Sequence, residues 1–422
     1  MISDTDIGVI ANNELTPNTE VFAESSSSMT LDYLPLDDTE YPYAGIPRIV
    51  IETKNRRAIK DRETEIPAKL QIWGEKAPES EIMELTIRGR GNTSWYDMPK
   101  KSYKIEFANK QTILGMPKDR DWALISNYAD KTLMKNYLIY HLSAQLGVFY
   151  TPRCKFVEVY INKEYLGVYL LTETIKASKN RISFSNKEDS YIVEIDSKYR
   201  NDEQVFFSKI IWNNSVGQVF HVHEPRNIAD NTLSILKNNI MKFELSLIKI
   251  DSTKDNHIEQ WIDIDEFLKY YWIQEFSKNP DANFHTSVFF CWEKDSTIKM
   301  GPIWDFDLAM GGHPKDVSTY TYWHIRNSYW AAYLFKDPSL SKQANLFWNE
   351  KKEIFSNTID SINLIATHLK KASINNFKKW DILNSQKSYW HTKAYQSYED
   401  AVDDLKEWIK KRIEWISSNT NK

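Results

Sequence analysis

The sequence predicts an α+β protein built as two lobes, and three observations carry that reading. Residues 46–175 fall into short runs of alternating or β-branched residues, the signature of strands. Beyond residue 176 the apolar positions recur at spacings of three and four, the signature of helices. The chain has 422 residues, more than one domain usually needs and enough for two lobes sharing a cleft. Its 15 Trp, 23 Tyr and 19 Phe can fill a sizeable core, which excludes wholesale disorder.

Residues 1–45 read as a polar, flexible leader or tail around Glu24-Ser25-Ser26-Ser27-Ser28. No basic-then-apolar targeting segment opens it. The compartment stays open: extracytoplasmic with such a segment removed, otherwise cytoplasmic. The first lobe, 46–175, is expected to place strands at 47–52, 67–72, 83–87 and 101–107. A hairpin follows at 156–161 and 165–172, turning at Asn162-Lys163-Glu164. One helix interrupts these strands, starting at the N-cap candidate Asp130 and stopped by Gly147. Leu133, Tyr137 and Leu146 mark its apolar face. In the second lobe, 176–422, strands are expected at 191–195, 219–222, 287–292 and 298–301. Leu233, Leu236, Ile240, Phe243 and Leu247 share one helix face, and Asp263 caps a second, apolar helix at 264–278. The last 85 residues or so read as helical, with Ser397 and Asp400 forming a capping box.

Composition narrows the function. A net charge of −4 argues against a broad electrostatic nucleic-acid binder. No apolar run approaches the roughly 18 residues of a membrane span. Cys154 and Cys291 cannot make a disulfide framework. Glycine is scarce, 12 residues where average usage gives roughly 30. Two of them, Gly89 and Gly91, share one loop, and Gly301, Gly311 and Gly312 surround one acidic motif.

Three constellations can carry chemistry. Arg88-Gly89-Arg90-Gly91-Asn92 lies between strands, where glycines let backbone N–H groups approach phosphate; a tight hairpin uses glycine equally well. On the following strand, alternation sets Lys101 on the apolar face of Tyr103, Ile105 and Phe107, where a lysine needs an anionic partner or an outlet to water. Asn279-Pro280-Asp281 ends an apolar helix, a place where Asp also serves as a turn former. In Trp304-Asp305-Phe306-Asp307 two carboxylates at i and i+2 sit among bulky apolar residues. Hard cations such as Mg²⁺ take one or two carboxylates plus phosphate oxygens. Glycine loop, inward lysine, Asp, then Asp before Phe is the order of parts in protein kinases.

The sequence resembles the CotH kinase family, the spore-coat-protein-H-like atypical kinases. The resemblance rests on Arg88–Trp95, Lys100-Lys101-Ser102-Tyr103, Trp122-Ala123-Leu124 leading to Asp130, Tyr165–Glu173, Asn279-Pro280-Asp281 and Gly301–Asp307. It implies a two-lobed atypical protein-kinase-like fold and ATP-dependent phosphorylation of Ser or Thr in a protein partner, with Mg²⁺ or Mn²⁺. It also implies that Asp281 is the catalytic Asp and that Lys101 binds ATP phosphates beside Arg88, Gly89, Arg90, Gly91 and Asn92. Asp305 would hold the metal with Asp307 close by. Glu173 would pair with the lysine or touch the nucleotide. Ordinary protein kinases carry a metal-binding Asn five residues after the catalytic Asp; here that position is Thr286, with Asn283 or His285 as substitute. The 130–147 helix carries no Glu to pair with Lys101. The same parts allow nucleotidyl transfer. The abundant Trp and Tyr also fit a non-catalytic surface or carbohydrate-binding protein, which leaves the Asp281 and Asp305 motifs unexplained.

Overall fold

In a computed structural model the described residues are 33–186, 188–197, 204–208, 210, 218–254, 256–313, 318–386, 390–391 and 393–420. The expected leader therefore lies, over 1–32, outside the described residues. Seven strands come first: β1 (Arg48–Thr53), β2 (Ile66–Trp73), β3 (Met83–Arg90), β4 (Ser102–Ile113), β5 (Met116–Ile125), β6 (Cys154–Ile161) and β7 (Glu164–Glu173). They form a closed barrel in the order β1-β2-β3-β4-β5-β7-β6. Closure comes from β1, which pairs antiparallel with β2 on one side and parallel with β6 on the other, Ile49 opposite Val159. A sheet without edges exposes no unpaired ladder groups. Alternation sends Ile49, Ile51, Leu70, Ile87, Ile105, Phe107, Trp122, Val157 and Tyr169 into the barrel interior.

This closed barrel overturns the expected two-lobed kinase-like fold; the α+β class holds. The misreading has a physical cause. Inward alternation looks the same in an open lobe and in a closed barrel, and closure depends on one non-local pairing that no local pattern reveals. Strand β5 also escaped the sequence reading, because Lys118, Asp119, Arg120 and Asp121 fill its first half. Two short helices complete this part: α1 (Thr93–Tyr96) inside the β3–β4 connection, and α2 (Lys135–Gln145). The α2 helix starts a turn later than expected because Leu133 takes a left-handed φ of 60°. Gly147, at φ 67°, stops it as expected.

A second, antiparallel sheet has the order β12-β11-β8-β10-β9. Its strands are β8 (Ser190–Ile195), β9 (Val205–Phe207), β10 (Val219–Glu224), β11 (Val288–Glu293) and β12 (Lys299–Met300). The helices are α3 (Asp230–Ile248), α4 (Ile264–Ser277), α5 (Tyr329–Leu334), α6 (Pro338–Ser356), α7 (Thr358–Lys379) and α8 (Tyr398–Asn419). The capping box of Ser397 and Asp400 is present at the start of α8. One hydrophobic core runs through α2, the central strand β8, α4 and α8. From the other side α7 closes on the barrel: Asn376 accepts from Val168 N at 3.1 Å, and Trp380 Nε1 donates to Leu166 O at 2.9 Å. Among the described residues no helix is long and apolar enough to cross a membrane.

Candidate functional site

Two loops carry the acidic motifs, and buried asparagines tie them together. Helix α4 is capped by Asp263, whose side chain accepts from Glu266 N, and it ends at Lys278 in the left-handed conformation. That reversal releases Asn279-Pro280-Asp281. The Asn279 side chain then works in two directions: its amide donates to Asp305 O at 2.9 Å, and its Oδ1 accepts from Asp281 N at 3.2 Å. Asp305 itself has φ 64°, a conformation that a non-glycine residue holds only when its surroundings fix it. Those surroundings are named residues. Asn136 of α2 accepts from Phe306 N at 2.8 Å, and Lys135 Nζ donates to Ala309 O at 2.8 Å. Phe306 is fully buried against Tyr140, which also packs on Trp304.

The result is a crowd of carboxylates. Asp307 is held well above the usual carboxylate range, first by burial, then by the charge and hydrogen bond of Asp305, then by the charges of Asp281 and Asp130. Asp130 is 1% exposed; its Oδ1 accepts from Thr132 N and Oγ1, and its Oδ2 from Lys135 N at 2.8 Å. Arg90, at the end of β3, brings positive charge to the same place. Its guanidinium lies over the Trp304 ring, 4.8 Å from the centroid, in the fields of Asp305 and Glu194. Among the described residues no group of three or more His, Cys, Asp or Glu is placed to hold a metal ion.

The other motif residues are placed elsewhere. A Cβ on Gly89 would lie 2.5 Å from the Trp95 ring, and Gly91 turns at φ 92° into α1, so both glycines serve to seat Trp95 at the barrel mouth. Asn92 Oδ1 accepts from Arg62 Nη1 at 2.6 Å, and Arg88 pairs with Glu65. Lys101 does lie inward by alternation, but its ammonium donates to Trp95 O and sits over the Trp95 ring. Glu173 is fully buried and accepts from Tyr150 OH at 3.0 Å and from Arg153 N and Nε. The structure thus gives Glu173 and Lys101 separate partners. Asn283 Oδ1 is buried and accepts no hydrogen bond from the described residues.

A family model described as CotH kinase protein matches residues 87–416, from inside β3 to the last turns of α8. The chain belongs to the CotH kinase family. No curated protein matches it significantly. Membership supports a kinase-like function in general, and the match takes in every residue of the two acidic loops.

Sequence reading passed over several residues that build this CotH site. Asp130 reads as a helix cap and as the end of the Trp122-Ala123-Leu124 motif, with no site role assigned, although its charge also acts on Asp307. Asn136, Tyr140 and Glu194 carry no motif; the available signal was a polar residue at a helix or strand position among apolar neighbours. His324 lies 43 residues beyond Asp281 in sequence, yet its main-chain N–H donates to Glu275 of α4, the helix that ends at Asn279-Pro280-Asp281.

Proposed function

We propose that this CotH chain transfers the γ-phosphoryl group of ATP to a Ser or Thr hydroxyl of a protein partner, with Mg²⁺ or Mn²⁺ held at Asp305 and Asp307. The observation that carries this reading is the joining of the two acidic loops through Asn279, whose amide donates to Asp305 O while its Oδ1 accepts from Asp281 N. Neighbouring carboxylates repel one another, and a cation beside them relieves the cost. The donor set of Asp305 and Asp307 fits a hard divalent ion because it is all oxygen. Mg²⁺ commonly takes one or two carboxylates and fills its other positions with water and phosphate oxygens, so a self-contained protein cage is not required.

Bound there, a divalent ion neutralises charge on the phosphates. The chain's own residues do the rest. Asn279 holds Asp281 and Asp305 in one register through both ends of its amide. Asp281 orients the acceptor hydroxyl and takes its proton as the oxygen–phosphorus bond forms and the bond from the γ-phosphorus to the β-bridging oxygen breaks. ADP leaves with that electron pair. Rate enhancement then comes from positioning and charge placement.

The test is intact mass after incubation with ATP and Mg²⁺ or Mn²⁺, for the wild type and Asp281→Asn, with and without a Ser/Thr-rich acceptor protein. A gain of about 80 Da, one phosphate, that is absent in the variant is expected. A gain the size of AMP would replace phosphoryl with nucleotidyl transfer. Retained phosphate transfer in Asp281→Asn would remove Asp281 from its role. Asp305→Asn is expected to weaken metal-dependent ATP binding; unchanged affinity would take the metal away from Asp305.

A further inference from the structure

The glycine-loop region carries five basic side chains, and four are committed to local partners. Arg88 pairs with Glu65 and donates to Arg62 O. Lys100 is buried against Val168 O and Asn376 Oδ1. Lys101 donates to Trp95 O. Lys104 is bracketed by Asp121 at 2.9 Å and Glu106 at 3.2 Å. Arg90 differs: among the described residues its guanidinium makes no hydrogen bond or ion pair, only the contact over the Trp304 ring.

The position of Arg90 follows from the register. Gly89 opposes Tyr103 and faces into the barrel, so Arg90, opposite Ser102, points outward. Outward is where Trp304 and the Asp305 loop lie. A guanidinium over an indole face is restrained by that contact, and N–H donors not committed among the described residues suit two-pronged binding of a phosphate.

We propose that Arg90, not Lys101, is the cation that grips the nucleotide's phosphates, with Trp304 setting the plane of its guanidinium. This rests on the ATP-dependent reading above and deepens it. It moves phosphate recognition from the inner face of the barrel to the outer face of β3, beside Asp305. The neighbouring aspartates then hold the metal while Arg90 holds the oxygens that the metal does not reach.

The test is calorimetric titration of the full chain with MgATP and with adenosine, for the wild type, Arg90→Gln, Arg90→Lys and Lys101→Ala. Arg90→Gln is expected to lose about ten- to a hundred-fold in MgATP affinity, the worth of a charge-assisted pair, with adenosine affinity unchanged. Arg90→Lys should recover part of the loss, because it keeps the charge and not the fork. Lys101→Ala should stay within about two-fold of wild type, since its ammonium is bonded to Trp95 O. Wild-type MgATP affinity in Arg90→Gln overturns the proposal. So does an equal loss for adenosine, which would make Arg90 a structural residue, or a loss in Lys101→Ala as large as in Arg90→Gln. A wild type that binds neither MgATP nor MnATP sinks the ATP-dependent reading itself, and the Arg90 assignment with it. Should Arg90→Gln not fold, as judged by its thermal unfolding midpoint, Trp304→Leu makes the same comparison by freeing the guanidinium plane; unchanged MgATP affinity there overturns the proposal equally.

Discussion

The side-chain amide of Asn279 donates a 2.9 Å hydrogen bond to the main-chain carbonyl of Asp305, which joins the end of α4 to the second acidic loop. Asn279 is 2% exposed, so water cannot replace the bond. Asn279→Asp keeps size and shape but sets an acceptor against an acceptor. Turnover is expected to fall at least about ten-fold, because Asp281 and Asp305 lose their common register. Nucleotide affinity should change less. A variant with full turnover would show that the two loops hold their geometry independently.

The ease of reading this fold and site varied with how local each feature is. The helix at α4 was legible because Asp263 and the apolar run both lie in adjacent sequence. So was the capping box at Ser397 and Asp400. Barrel closure was not, since it rests on β1 meeting β6 more than 100 residues away. Asp281, Asp305 and Asp307 were found as motifs, and their mutual influence on Asp307 appears in the structure. The pairing of Lys101 was misleading for a simple reason: alternation fixes the face of a strand on which a side chain lies, not the partner it finds there.

Arg412 and Glu275 form a fully buried ion pair at 2.7 Å that also organises the chain around it. Arg412 donates to the carbonyls of Tyr320 and Tyr322, while Glu275 accepts from the main-chain N–H groups of His324, Ile325 and Arg326. Arg412→Met leaves a buried carboxylate with no cation and is expected to cost about 3–5 kcal/mol in urea unfolding. Adding Glu275→Leu should not restore stability, because three N–H groups are then orphaned. Recovery in the double variant would reduce the pair to a simple charge match.

Gly89 and Trp95 are coupled by contact: a Cβ at Gly89 would sit 2.5 Å from the indole. Gly89→Ala is expected to destabilise by about 1–3 kcal/mol, the usual cost of overpacking. Trp95→Leu makes room, so the double variant should be more stable than the two single losses predict. A double-mutant cycle by denaturant unfolding measures this. Strict additivity would mean that the alanine finds space elsewhere.

Lys100 gives a pH prediction of definite sign. It is 1% exposed, donates to Val168 O and Asn376 Oδ1, and lies 4.7 Å from the Tyr169 ring centroid. Burial holds its amine well below the ordinary lysine value of 10.5. The folded chain therefore keeps this amine neutral where the unfolded chain protonates it, and unfolding takes up a proton. Stability must then rise with pH between the folded pKa and 10.5, by about 1.4 kcal/mol per pH unit for this one group. Lys100→Met removes the titration and keeps the stem. The wild type should gain on Lys100→Met as urea unfolding is repeated at rising pH below 10.5. A constant difference across that range would mean that the two carbonyl oxygens and the Tyr169 ring keep the ammonium charged in the folded chain.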